Sequence, residues 1–135
     1  MKKLKLAGAV ILTNERKLLL IHRNSKTRIQ WELPGGKVEK DEECEAAAIR
    51  ELKEELGVDI NIIKYLGCDN SNEDNTILEY HWYLASIIEG RPKLMEEKFD
   101  ELKYFSKNEL IKRNDLSSNM KVLIKKIDIY NIINY

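Results

Sequence analysis

RELKEELG, residues 50–57, puts three carboxylates within about one helical turn, and how it is read decides the fold. As a helix it sets Glu51 three and four residues from Glu54 and Glu55, so like charges crowd one side. Each such pair costs a helix roughly 0.2–0.5 kcal/mol. Glu54 and Glu55 also precede Gly57, a helix stop, and so sit at the negative end of the helix dipole. Three clustered carboxylates form a hard-oxygen set suited to Mg2+ or Mn2+, which would relieve the repulsion. The plain alternative is a solvated charged face. With 34% of residues charged, RELKEELG taken alone favours that alternative.

Working outward, the pattern is helical from Asp41 to Leu56. Asp41, Glu42 and Glu43 suit an N-terminal turn, Ala46, Ala47 and Ala48 are strong helix formers, and Ile49, Leu52 and Leu56 form an apolar stripe expected to face a core. Upstream, KLKLAGAVILT and KLLLIHR read as a strand pair with a short turn at Asn14-Glu15-Arg16, and WELPGGKVEKDE reads as a loop punctuated by Pro34, Gly35 and Gly36. Downstream, VDINIIKYLG, NTILEYHWYLASII and ELKYFS read as strands. KNELIKR begins a short helix, and residues 117–133 a terminal one capped by Ser117 or Ser118. No repeat or linker divides the chain, so residues 1–135 are expected to form a single domain of mixed α/β class.

The charge is balanced, 23 basic against 23 acidic residues, so no strongly basic surface points to a stable nucleic-acid partner. The opening MKKLKLAGAVILT resembles a signal peptide superficially, but its apolar run is only AGAVIL, and NERK follows without a small-residue cleavage site. No segment has the length of a membrane span. Cys44 and Cys68 show no metal-ligand spacing and read as reduced structural residues. The expectation is a cytoplasmic protein with no membrane partner.

Gly36, Glu42, Arg50, Glu51, Leu52, Glu54, Glu55, Gly57 and Val58 fall at the spacing G-x5-E-x7-R-E-U-x-E-E-x-G-U, where U is a bulky aliphatic residue, and every fixed position is filled. This resembles the Nudix box, the signature of hydrolases that cleave nucleoside diphosphates linked to another moiety. WELPGG, the AGAVILT and LLLIHR strands, and ELKYFSKNEL, which is similar to an E-x-x-W-F-x-x-x-E-L segment, carry the resemblance through most of the chain. It implies a mixed β-sheet sandwiched between helices, with the box as a loop–helix–loop. It also implies that Glu51, Glu54 and Glu55, helped by the Gly36 carbonyl, bind divalent cations that grip a pyrophosphate. Arg50 would orient these glutamates, with a salt bridge to Glu42 as one family-like arrangement. Attack on phosphorus needs a base near the attacking water. Glu51 is one candidate; Glu101, which aligns with an acidic residue that MutT-type members contribute from outside the box, is the other. Glu97 and Asp100 are close enough in sequence to compete for that second role.

Subfamily markers are missing near the box. There is no proline at the distance usual for ADP-ribose hydrolases, no tyrosine like that of dinucleoside polyphosphate hydrolases, and no coenzyme A signature. The chain is thus similar to compact MutT-type nucleoside triphosphate pyrophosphohydrolases. HWYLASIIEGRPKLMEEKFDELKYF resembles the pattern of nucleotide-acting members, departing from it at Glu96-Glu97 and Tyr104. The expected reaction is Mg2+-dependent hydrolysis of a nucleoside triphosphate, ordinary or oxidised, to monophosphate and pyrophosphate. The alternatives are a hydrolase of ADP-ribose or another nucleoside diphosphate-linked compound, and a non-catalytic nucleotide-binding module. Candidate substrate contacts are Arg23 for phosphate, Trp31 for stacking, and one face of the Tyr80–Tyr83 strand, either His81 with Tyr83 or Tyr80 with Trp82. Small members of the family often pair, so a homodimer is a candidate assembly.

Overall fold

A computed structural model describes residues 2–132. An apolar run such as AGAVIL suits a strand buried on both faces. β1 (Lys2–Ile11) meets that requirement, being enclosed from Ala7 to Ile11. Val10 joins one core, while Ala9 and Ile11 join another. β2 (Leu18–Asn24) divides in the same way, with Leu18 and Leu20 in the first core and Leu19 and Ile21 in the second.

The remaining elements, in chain order, are β3 (Ile29–Glu32), β4 (Gly35–Lys37), α1 (Cys44–Leu56), β5 (Asp59–Glu73), β6 (Thr76–Glu89), β7 (Phe99–Phe105), α2 (Lys107–Ile111) and α3 (Ser118–Lys126). A four-stranded sheet has the order β4-β1-β6-β5, and a three-stranded sheet the order β3-β2-β7. In the first sheet β1 runs parallel to β6 and antiparallel to β4. Leu52 and Leu56 of α1 close the second core, and Leu110 of α2 with Met120 and Leu123 of α3 closes the first. The architecture is the expected one of mixed sheet between helices.

Several local expectations are corrected. β1 and β2 are not a ladder pair; they enter different sheets and share only the bridge Leu12–Leu18, because β1 has both its neighbours filled by β4 and β6. WELPGG is not all loop, since Gly35–Lys37 pair with Leu6–Gly8 and Trp31 and Glu32 pair with β2. α1 begins at Cys44 rather than Asp41, and Asp41 takes a left-handed φ of 64° in the preceding turn. Ser117 is the cap of α3 and accepts from the Met120 amide at 3.2 Å. That helix ends at Lys126, where Ile127 turns extended, and a 3₁₀ turn follows at Ile129–Asn131. The expected last helical residue, 133, lies outside the described residues.

Candidate active site

The buried face of α1 differs from the expected stripe. Ile49 is 38% exposed, whereas Ala48, Leu52, Glu55 and Leu56 are buried, Glu55 to 1%. A carboxylate therefore occupies a core-facing helix position, where charge is costly unless it is paired. Its one hydrogen bond among the described residues comes from the Gly35 amide, which donates to Oε1 at 2.7 Å. Burial holds the Glu55 carboxyl well above the usual range against the pull of that amide, and the charges of Glu51, Glu32 and Glu96 push the same way as burial.

Gly36 brings β4 against the preceding turn of α1. A Cβ on Gly36 would stand 2.5 Å from the Glu51 carboxyl carbon, so the strand approaches that carboxylate as only glycine permits. Burial also raises the Glu51 carboxyl, with Arg50 opposing. Arg50 is the hub of the cluster. Its Nε and Nη2 fork onto Glu42 at 2.8 and 3.0 Å, Nη2 also donates to the Lys37 carbonyl at 2.9 Å, and Nη1 donates to Glu51 at 3.0 Å and to Glu54 at 3.2 Å. The fork holds the Glu42 carboxyl down to about 2 and raises the Arg50 guanidinium further. Glu42 therefore acts on Arg50, and Arg50 on Glu51 and Glu54.

Glu51, Glu55, Gly35 and Gly36 border a cleft of about 330 Å3. Its floor is Leu4 and Leu6 of β1 with Leu78 and Tyr80 of β6. Arg23 and Lys98 bring positive charge, and Asn119 of α3 stands at the border. Arg23 is forked onto Glu32 by Nε at 3.0 Å and Nη2 at 2.8 Å. Arg28 pairs with Glu73, which also accepts from the Ser118 hydroxyl at 3.0 Å and so ties the β5–β6 hairpin to the start of α3.

The cleft thus gathers Arg23, Gly36, Glu51 and Glu55 from the expected set, with Glu54 and Arg50 adjoining through the Arg50 fork. Four other candidates lie elsewhere. Trp31 is 3% exposed and packs edge-on to Phe105 with ring centroids 4.9 Å apart, so it cannot stack on a ligand. His81 and Tyr83 point to the opposite face of β6, against Tyr65, where His81 meets the Tyr65 hydroxyl at 2.9 Å and Glu79 at 2.8 Å. The cleft-facing pair on that strand is Tyr80 with Trp82 behind it, the alternation that puts His81 and Tyr83 outside. Glu101 does not border the cleft. It alternates with Phe105 onto the first-core side of β7, opposite His22, while Asp100 meets His22 Nδ1 at 2.7 Å.

Glu96, which the sequence marks only as a departure from the family pattern, adds its charge to those acting on the Glu51 and Glu55 carboxyls. It lies on the segment that follows β6, which docks on the end of α1 through the Met95 amide to the Glu55 carbonyl at 3.0 Å. Its Oε1 is buried without a hydrogen bond, and Lys98 Nζ stands 3.8 Å from it. No spacing rule marks such a residue, because its place comes from the docking of an irregular segment. Asn119, in a terminal helix, carries no spacing signal either, while Tyr80 lies on one of the two strand faces that alternation leaves open.

The donor set fits a hard divalent cation, with buried carboxylate oxygen, a second carboxylate at its side and a glycine strand pressed close enough to exclude any side chain. Among the described residues no three His, Cys, Asp or Glu side chains are grouped closely enough to hold a metal ion, and Arg50 bonds both Glu51 and Glu54. Nor is any described helix long and apolar enough to cross a membrane.

A family model described as the NUDIX domain matches residues 3–127. The CTP pyrophosphohydrolase of Escherichia coli (strain K12) is 33% identical over 82 residues, 58% of this chain and 61% of that protein. The 8-oxo-dGTP diphosphatase of Proteus vulgaris is 41% identical over 61 residues, 44% of this chain and 54% of that protein. The chain therefore spans less than two thirds of the length of these curated relatives. Among solved structures, a MutT NUDIX hydrolase from Burkholderia pseudomallei superposes with a TM-score of 0.83 at 26% identity, over 94% of this chain and 99% of that one.

Proposed function

The chain belongs to the NUDIX family, and from that membership we propose that it hydrolyses a nucleoside triphosphate to the monophosphate and pyrophosphate in a Mg2+-dependent reaction. The observation that carries the proposal is Glu55, a buried carboxylate bonded to the Gly35 amide and lining, with Glu51, a cleft of about 330 Å3. The names of the relatives, one a CTP pyrophosphohydrolase and one an 8-oxo-dGTP diphosphatase, favour triphosphates as the substrate class.

In this reading Glu51, Glu54, Glu55 and the Gly36 carbonyl would hold the cation. When bound, Mg2+ supplies charge neutralisation and Lewis acidity toward the phosphoryl oxygens. Arg50 bonds Glu51 and Glu54 and offsets their charge. Arg23 and Lys98 attract the polyphosphate, Arg23 in a direction set by its fork with Glu32. Glu51 takes the proton of the attacking water, a role supported by its place in the cleft lining, which does not include Glu101. Water adds to phosphorus, the phosphoanhydride bond breaks, and pyrophosphate leaves. The proposal treats residues 1–135 as one hydrolase domain acting in the cytoplasm on a small-molecule nucleotide, without a membrane or nucleic-acid partner, and pairing as small family members do.

The test is product analysis over a panel of ordinary and oxidised triphosphates, ADP-ribose and nucleotide sugars with Mg2+. Pyrophosphate from triphosphates is the expected result. Monophosphate release from ADP-ribose or a nucleotide sugar alone would transfer the chain to the nucleoside diphosphate-linked class. Nucleotide binding with no turnover of any compound would make it a binding module.

A further inference from the structure

The four-stranded sheet carries a second recess on its other face. It is a solvent-open groove of about 590 Å3 between the start of α1 and the β5–β6 pair. Tyr65, His81 and Tyr83 form its sheet wall, Ile49 stands on the helix side, and Glu43 and Glu45 edge it with charge. Tyr65 is 49% exposed, yet its ring is not free. Lys3 pairs with Glu79 at 3.1 Å, Glu79 with His81 Nε2 at 2.8 Å, and His81 Nδ1 with the Tyr65 hydroxyl at 2.9 Å. A carboxylate only accepts, so Nε2 donates to Glu79. That leaves Nδ1 of neutral His81 as the acceptor for the Tyr65 hydroxyl. The ring is thereby held beside Tyr83, with centroids 5.2 Å apart. An aromatic face is negative, and donation of the phenol proton makes it more so.

The charge around these rings has one sign. Glu43 caps α1 without a side-chain capping bond, and Glu45 follows it in the first turn. Both are exposed, and among the described residues no Lys or Arg lines the groove. Burial pushes the Tyr83 hydroxyl up, and the charges of Glu45 and Glu43 push the same way. Such a groove repels phosphate, so it is not a second nucleotide site. Aromatic faces, carboxylates and an aliphatic side chain together suit a ligand that alternates ammonium groups with methylenes. A single ammonium ion leaves most of the groove empty, and two carboxylates match more than one positive charge.

We propose that this groove binds an aliphatic polyamine, with one ammonium on the Tyr65 ring, a second at Glu43 and Glu45, and the methylenes along Ile49. The inference stands apart from the hydrolase reading, since no residue that lines the groove also lines the cleft.

The experiment is calorimetric titration of spermidine, without metal or nucleotide, into the full chain and its variants, each checked for folding by a thermal melt. The variants are Tyr65→Ala, Tyr65→Phe, the double change Glu43→Gln with Glu45→Gln, and Glu55→Gln. One-to-one binding to the wild type is expected. Tyr65→Ala is expected to weaken it about fivefold, the effect of one cation–π contact. Tyr65→Phe keeps a ring but loses the bond to His81, and is expected to fall between the two. The double change is expected to weaken binding about fivefold and to flatten its salt dependence. Glu55→Gln is expected to leave it alone, and 1,8-octanediol, which has methylenes and no charge, not to bind. No spermidine binding, or binding unchanged by Tyr65→Ala and by the double change, would overturn the inference. Binding lost in Glu55→Gln would overturn it too, by placing the cation in the cleft. Capture of a lysine peptide with no affinity for spermidine would make the groove a protein-docking surface and overturn it as well.

Discussion

The Gly35 amide reaches Glu55 Oε1 across 2.7 Å and fastens the last turn of α1 to the first residue of β4. The bond joins the two ends of the 36–58 signature and explains how a buried carboxylate is tolerated at all. One neutral donor compensates a buried charge only in part.

Glu55→Gln is therefore expected to separate stability from activity. The amide keeps an acceptor for Gly35 and removes the buried charge, so the melting temperature should rise by a few degrees, about what 1 kcal/mol gives a chain of this size. Turnover should fall by at least about a hundredfold, the loss on removing one charge-stabilising group from a site. Thermal melts and steady-state rates decide, and a variant that is both slower and less stable would count against this account of Glu55.

Gly36→Ala tests the close approach of β4 to α1. The new Cβ would meet the Glu51 carboxyl at 2.5 Å, and that carboxyl is the free end of a flexible side chain. Fold stability should change by less than about 1 kcal/mol, since little backbone has to move. Turnover should fall about tenfold or more as Glu51 is displaced. Full activity with an unchanged melt would show that Glu51 does not need its present position.

The Glu42–Arg50 fork makes an acid-stability prediction. The folded Glu42 carboxyl is held down to about 2, from an ordinary value of 4.5. A lowered carboxyl adds stability that is fully present above the ordinary value and is lost as pH falls through the folded one. Glu42→Gln should therefore flatten the pH dependence of the melting temperature between about 4.5 and about 2, relative to wild type. Parallel curves for the two proteins across that window would refute the assignment.

Trp31→Ala should cost about 3–5 kcal/mol, the penalty for emptying a packed aromatic position. Trp31→Phe should keep nucleotide affinity within about twofold, because the ring faces Phe105 and not the cleft. Titration of a nucleotide against the folded variant is the check. A large loss of affinity with the fold intact would return Trp31 to the site.

The parts of the site that follow from covalent spacing were readable in the chain. Glu42 to Arg50 to Glu51 is a matter of helical turns, and Gly57 ends α1 with a left-handed φ of 69°, as a glycine after a helix commonly does. What depends on partners was not readable. Residue type argues that Glu55 is exposed and Ile49 buried; β4 arrives over Glu55, and Ile49 is left 38% exposed. Alternation divided Tyr80 and Trp82 from His81 and Tyr83 correctly, yet the choice of inner face depends on α3 covering that side of the sheet. AGAVIL and LLLIHR are near neighbours in the chain, and proximity suggested a hairpin. Their placement in separate sheets comes from β6, far along the chain, taking the place beside β1.

The β1–β6 ladder also imposes an order in time. Lys2 pairs with Thr76 and Ile11 with Ala85, so β1 is paired with a strand made about seventy residues after it. Contacts between such distant segments form slowly, because a long loop must close before they reward it. β4 pairs with the other edge of β1, and the cleft floor is shared by β1 and β6. A nascent chain that has reached residue 75 already carries the whole 36–58 signature but lacks β6, and with it Leu78 and Tyr80 of the cleft floor, so the cleft is completed only after the residues of the signature have been made.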